Sequence, residues 1–209
     1  MKKGLLLVIL LWYATPSFPQ FFKGGIMPAL NFSQITGDNM LGYNKGGLLL
    51  GTFVEHDIND LITLRMELNY SMKGSRRIIN EFNTTPGEWD LYRVNYLEIP
   101  LTIDHVIYNK FGLSGGLAFG INVGEYYIDR YGTEDPHFSM AKKWESSILL
   151  GAYYEYNERF EFFVRHESSI LNFTTSGNTP FWQVWGIVKR GYINVLLSFG
   201  ARYYLGVKM

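Results

Sequence analysis

His166-Glu167-Ser168 puts an imidazole and a hydroxyl two residues apart, with a carboxylate between them. These are the parts of an acyl-transfer centre, in which a histidine takes the proton of a serine nucleophile and a third group orients the imidazole. On a strand, residues i and i+2 share a face but lie about 6.5–7 Å apart, long for direct proton transfer. Glu167 then points to the opposite face, so no catalytic residue is expected here. A second set of residues is ionisable and falls on alternate positions: Arg65, Glu67, Glu98, Asp104, Glu145, Glu155, Glu161, Arg165, Glu167 and Arg202. Gathered inside a fold, such groups could form a proton relay or ion path. They could equally form a salt-bridged plug. The plug is the preferred reading, because a buried charge without a partner costs several kcal/mol. His56, His105 and His137 are scattered, without metal-ligand spacing, and no glycine loop of the phosphate-binding kind is present. No metal and no cofactor are expected.

The 209 residues suit one domain of ordinary size. Lys plus Arg and Asp plus Glu both number 19, and this balance argues against nucleic acid as a partner. There is no cysteine, which removes disulfide scaffolds, thiolate metal sites, cysteine nucleophiles and anchoring through a lipidated Cys. The start of the chain reads as a secretory signal peptide over residues 1–19: Lys2 and Lys3, an apolar run from Gly4 to Ala14, then a break at Thr15-Pro16. Export without cysteine points to a bacterial envelope. Residues 20–209 form the expected folded domain.

Those polar residues would be positioned by strands. In 111–124 the odd positions are Phe111, Leu113, Gly115, Leu117, Phe119, Ile121 and Val123, while the even ones are small or polar. A period of two excludes a helix. Ile62, Leu64, Met66, Leu68, Tyr70 and Met72 oppose Thr63, Arg65, Glu67, Asn69, Ser71 and Lys73, and 96–104 and 191–205 alternate in the same way. Segments 24–33, 47–55, 144–155 and 160–170 complete eight candidate strands. Their lengths suit a tilted bilayer crossing of about 9–11 residues better than the 5–6 residues typical of soluble domains. The gaps alternate too. Those at 56–60, 109–110 and 157–158 are short; those at 34–45, 75–92, 129–143 and 173–189 are long.

The expected fold is therefore all-β: an eight-stranded antiparallel up-and-down transmembrane β-barrel in the bacterial outer membrane, with short periplasmic turns and long outer loops. A soluble barrel of lipocalin type would place the apolar face inward. The Gly, Ser, Asn and Ala of the polar face suit a cramped interior better than a solvated surface. Eight strands leave a lumen that side chains fill, so Arg65, Glu67, Glu98, Asp104, Arg165 and Arg202 are expected to pair inside it. Tyr126, Tyr127, Tyr131, Tyr153, Tyr154, Tyr156, Tyr203 and Tyr204 fall near strand ends, where an interfacial belt would lie. With the wall facing outer-membrane lipid and the lumen full, recognition of an envelope protein partner is left to the long loops. Their aromatics Trp89, Tyr92, Trp182 and Trp185 are the candidate anchors.

Two motifs carry a family resemblance. Tyr96-Leu97-Glu98-Ile99-Pro100-Leu101 resembles the signature of the PorT-like outer-membrane β-barrels of Bacteroidetes. Leu68-Asn69-Tyr70-Ser71-Met72-Lys73-Gly74-Ser75 resembles that family's L-x-Y-S-x-K-G-S stretch, and residues 25–34 are similar to its opening strand. The resemblance implies fold and location more than activity. One member is linked to type IX secretion and gliding, which makes a role in such machinery the alternative function. The H-x-S pair resembles that of outer-membrane lipid A deacylases and gives a lesser alternative, a lipid A-modifying enzyme. Ser198-Phe199-Gly200-Ala201-Arg202-Tyr203-Tyr204-Leu205 resembles the C-terminal signal read by the barrel-assembly machinery, which would be a partner during biogenesis. Within the signature, Pro100 lacks an N–H and is expected to cause a bulge or local break, and Glu98 is expected to pair with Arg65 or Arg202. The leading expectation is a non-enzymatic barrel with a packed lumen, acting as a surface anchor, binding or scaffold protein.

Overall fold

The computed structural model describes residues 22–36, 42–77, 91–129, 131–135, 139–174 and 192–206. The segment read as a signal peptide and three of the four candidate loop aromatics, Trp89, Trp182 and Trp185, lie outside them. Eight strands run in chain order: β1 Phe22–Thr36, β2 Lys45–Asp57, β3 Ile62–Arg76, β4 Leu91–Tyr108, β5 Phe111–Ile128, β6 Trp144–Glu155, β7 Phe160–Ser169 and β8 Ile193–Tyr204. Each pairs antiparallel with the next, and β8 pairs with β1, which closes an up-and-down barrel without a free edge. Both the strand number and the alternation of short and long connections agree with the expectation from sequence.

Apolar and polar faces separate as the period of two requires. Leu48, Leu50, Leu64, Met66, Leu68, Ile99, Leu101, Ile103, Leu117 and Phe119 point outward and are exposed, while their strand neighbours are buried. Between Ile26 and Phe199 no outward position in the middle of a described strand carries Lys, Arg, Asp or Glu. A Lys or Arg there would cost about 2–4 kcal/mol against hydrocarbon. At the short-turn end the outer rim is aromatic: Phe111 packs on Tyr154 at 4.7 Å, Phe160 on Tyr203 at 5.0 Å and Tyr156 on Phe162 at 6.2 Å, with Tyr108 exposed beside them.

Strand ends and turns differ from the expectation in four ways. First, β4 starts at Leu91, not Tyr96, and runs on to Tyr108. Arg93 and His105 interrupt the apolar alternation, yet the backbone ladder continues past both. Second, of the bulge or local break expected at Pro100 the structure shows the break. The β3–β4 ladder pairs Met66 with Leu101 and then Asn69 with Glu98 in one unshifted register, so the proline interrupts pairing without displacing it. Pro28 acts alike on the β1–β8 seam, between the Ile26–Tyr203 and Ala29–Gly200 pairs. The register shifts lie instead in the β4–β5 ladder, at Asn95/Tyr96 and Val106/Tyr108. Third, the belt is narrower than expected, because Tyr153 and Tyr204 are buried in the lumen. In each Tyr-Tyr pair at a strand end, one ring must face inward. Fourth, Tyr92 is not an exposed loop residue. It stands on β4 with the parity of Tyr96 and Glu98, is 3% exposed, and stacks on Phe173 at 6.5 Å.

Small residues on the inner face make room for the large ones. A Cβ on Gly112 would come within 2.2 Å of the Tyr153 ring, and one on Gly200 within 2.5 Å of Phe163. Gly74 instead answers a backbone demand, with φ of 137° and the Tyr92 carbonyl oxygen 2.0 Å from where a Cβ would stand.

Candidate functional site: the ion-filled lumen

Two layers of ion pairs fill the barrel. The layer nearer the short turns is built on arginine. Arg65 of β3 donates through Nε and Nη2 to Glu55 Oε2 of β2 at 2.9 and 2.8 Å, faces Asp104 of β4 at 2.5 Å, and lies 3.6 Å from Glu161 of β7. Arg202 of β8 pairs with the same Glu161 and lies 3.8 Å from Glu67. Arg165 of β7 grips Glu67 with a two-pronged bond, 2.7 Å from Nη1 to Oε2 and 2.6 Å from Nη2 to Oε1. Planar forks of this kind fix orientation as well as charge. The Phe163 ring lies 4.5 Å from the Arg202 guanidinium and 5.3 Å from that of Arg165, while Arg65 lies 5.4 Å from the Phe53 ring. The Tyr204 hydroxyl sits 3.2 Å from Glu55 and 3.3 Å from Glu161.

In the layer nearer the long loops three carboxylates converge on one cation. Lys73 Nζ lies 2.6 Å from Glu98, 2.5 Å from Glu167 and 3.2 Å from Glu145, and 5.1 Å from the centre of the Tyr96 ring. Glu145 also accepts from Ser169 at 2.6 Å and from the Asn194 amide at 2.9 Å. Above this layer Ile35, Tyr92, Val94, Ala141 and Phe173 form a buried apolar cluster, and the Tyr92 hydroxyl donates to Glu125 at 2.9 Å.

All six lumen ions read from the sequence, Arg65, Glu67, Glu98, Asp104, Arg165 and Arg202, are buried. Their pairing is not wholly as expected, since Glu98 binds Lys73 and neither Arg65 nor Arg202. Glu155, placed in the lumen by parity, is only half-buried and lines the mouth at the short-turn end. Three further buried ions, Lys45, Glu55 and Lys73, were missed. Parity marks Lys73 as inward, for it shares a face with Arg65 and Glu67. Lys45 lies before the point where the sequence pattern of β2 becomes clear.

Glu98 belongs to the first resemblance motif and Lys73 to the second, so the two motifs meet in one ion cluster. Their other members have structural tasks: Tyr96 flanks the ammonium, Pro100 breaks the ladder and Gly74 takes a positive φ. Tyr96, Glu98 and Pro100 face inward, while Leu97, Ile99 and Leu101 face outward.

His166 lies on the outer face of β7, paired across the ladders with Leu150 and Leu197, while Glu167 turns inward to Lys73. The third member that a catalytic triad needs is therefore committed elsewhere. Among the described residues no three His, Cys, Asp or Glu side chains are placed to hold a metal ion.

A closed eight-stranded barrel with an apolar outer wall and a charged, filled interior is the architecture of a bacterial outer-membrane domain. The family model described as outer membrane protein beta-barrel domain matches residues 21–175. The chain belongs to this family, and its place is the outer membrane. Solved barrels agree in fold. Ail, the attachment invasion locus protein of Yersinia pestis, superposes with a TM-score of 0.51 at 14% identity, covering 88% of this chain and 98% of that one. Neisserial surface protein A superposes with a TM-score of 0.53 at 12% identity, covering 87% and 96%. No curated protein matches the chain.

Proposed function

We propose that this outer-membrane barrel is a non-enzymatic surface protein that anchors, binds or scaffolds through its long loops, within the PorT-like group of Bacteroidetes barrels. The observation that carries the reading is the lumen. All of its buried ions but Lys45 are engaged in hydrogen bonds or ion pairs, and aromatic side chains stand among them, a filling that favours a packed barrel over a porin-like path. Lipid surrounds the wall, which leaves the loop end for a partner in the envelope. The barrel-assembly machinery would read the segment ending at Leu205. Trp89, Trp182 and Trp185 are the loop aromatics proposed to anchor contact, and the burial of Tyr92 removes it from that set. The test replaces Trp89 and Trp182 by Ser and follows partner capture alongside heat-modifiable migration on gels. Lost capture with an intact barrel is the expected result. Unchanged capture after both loops are trimmed would move the partner to the wall or the short turns.

A second reading, a component of type IX secretion or gliding machinery, is favoured by the convergence of the two PorT-like motifs on the Lys73 cluster. Deletion of the gene, followed by assay of secretion and gliding, separates the readings: a surface anchor leaves both intact. The lipid A-modifying alternative has least support, because Glu167 turns away from His166. A lipid A mass spectrum unchanged by His166→Ala is expected.

A further inference from the structure

The outer wall carries charge at one place, on the long-loop rim of β3 and β4. Among the described residues, Arg76 and Arg93 are the only Lys, Arg, Asp or Glu side chains on the outer face of a strand. Arg93 has the parity of Leu97 and Ile99, while Tyr92, Val94 and Tyr96 are buried on the inner face. Arg76, at the last position of β3, is exposed. The β3–β4 ladder pairs Gly74 with Arg93 and Arg76 with Leu91. The two arginines are therefore diagonal neighbours on one face, about 7–8 Å apart and within reach of each other's long side chains. Gly74 puts no side chain between them, and at the same end of β2 a Cβ on Gly46 would meet no atom within 4 Å. The Arg93 guanidinium lies 5.7 Å from the Tyr126 ring and has no carboxylate partner among the described residues. Further into the wall the same face turns apolar, with Leu68, Tyr70, Leu97 and Ile99 exposed.

We propose that this β3–β4 face binds a phosphorylated glycolipid of the outer leaflet, of the lipid A type, with its phosphate held by Arg93 and Arg76 and its acyl chains lying on Leu68, Tyr70, Leu97 and Ile99. Long loops mark the outer end of such barrels, so this rim stands at the depth of the outer headgroups, where a cation costs little. A guanidinium matches phosphate oxygens with paired N–H groups, and a ring beside it adds a cation–π contact that holds it in place. Cations above an apolar strip repeat the order of headgroup and chains in a phospholipid-like ligand. A free anion would use the arginines and leave the strip unused. Across the barrel, the outward side chains at the loop end of β6 and β7 are Trp144, Ser146 and Ser168, which bring no charge to a phosphate.

The test is native mass spectrometry of the full-length refolded barrel, released from an uncharged detergent after incubation with bisphosphoryl lipid A. Retention of the lipid on the barrel is expected, weakened about tenfold in Arg93→Gln, the value of one charge-assisted bond. Lipid A stripped of its phosphates should be held more weakly, and alike by parent and variant. Lys143→Gln, which removes an exposed charge beside β6, should leave retention at the parental level. Should Arg93→Gln fail to fold, Arg76→Gln at its exposed position decides, with weakening of a few fold expected from a screened charge. Equal retention of the dephosphorylated lipid, unchanged retention in whichever variant folds, or an equal loss in Lys143→Gln would overturn the proposal. So would full displacement of the lipid by inorganic phosphate, which would assign the arginines to a free anion.

Discussion

The two ion layers meet the same demand by different means. Near the short turns, Arg65, Arg165 and Arg202 share Glu55, Glu67, Asp104 and Glu161, and most members touch more than one partner. Near the loops, Glu98, Glu145 and Glu167 all depend on Lys73. The arginine layer is a mesh, in which loss of one contact leaves others. The lysine layer is a hub, and its stability rests on one point charge. Guanidinium forks also set angles, which an ammonium cannot do. The lower layer should therefore hold strand orientation, and the upper layer should hold charge balance.

The largest expected effect comes from removing the hub. Lys73→Met leaves three buried carboxylates facing one another, and breaking buried pairs of this kind costs about 3–5 kcal/mol. The urea midpoint of the folded barrel in lipid should fall steeply at neutral pH. A midpoint that stays at the parental value would refute the hub. Next in size is Arg165→Lys, which keeps the charge but loses the two-pronged bond to Glu67. A loss of about 1.5–3 kcal/mol is expected, readable as a lower midpoint at every pH between 5 and 8. Parental stability in this variant would show that the mesh needs only charge. Smallest is His166→Ala on the outer wall. A position outside both layers should change stability by less than about 0.5 kcal/mol, and a larger drop would mean that the wall, too, carries specific polar contacts.

Much of this was legible in the residues. Parity separated the two faces most clearly at 62–73, 96–104, 111–124 and 191–205, and the small and polar residues of one face marked it as the inner one. It also set the six lumen ions inside. Pairing was not legible. Arg165 and Glu67 are 98 positions apart, and only closure and register bring them together. The extent of β4 was hidden for a local reason: Arg93 breaks the apolar pattern while the hydrogen-bond ladder runs on, so Tyr92 read as loop and proved to be core. Lys45 escaped notice because glycines follow it, and Gly46 and Gly47 carry no side chain to show the alternation.

The seam between β1 and β8 has a consequence for assembly order. Arg202 is contributed by the last strand, and its partners Glu67 and Glu161 wait on β3 and β7. Until β8 docks, Glu161 lacks Arg202, and the open sheet presents unpaired backbone along β1 and β7. Such a sheet is a poor solute for hydrocarbon, since edge and charge would both be stranded. Insertion and closure are therefore coupled events. A chain interrupted before β8 should accumulate as a periplasmic protease substrate rather than as a seven-stranded membrane protein.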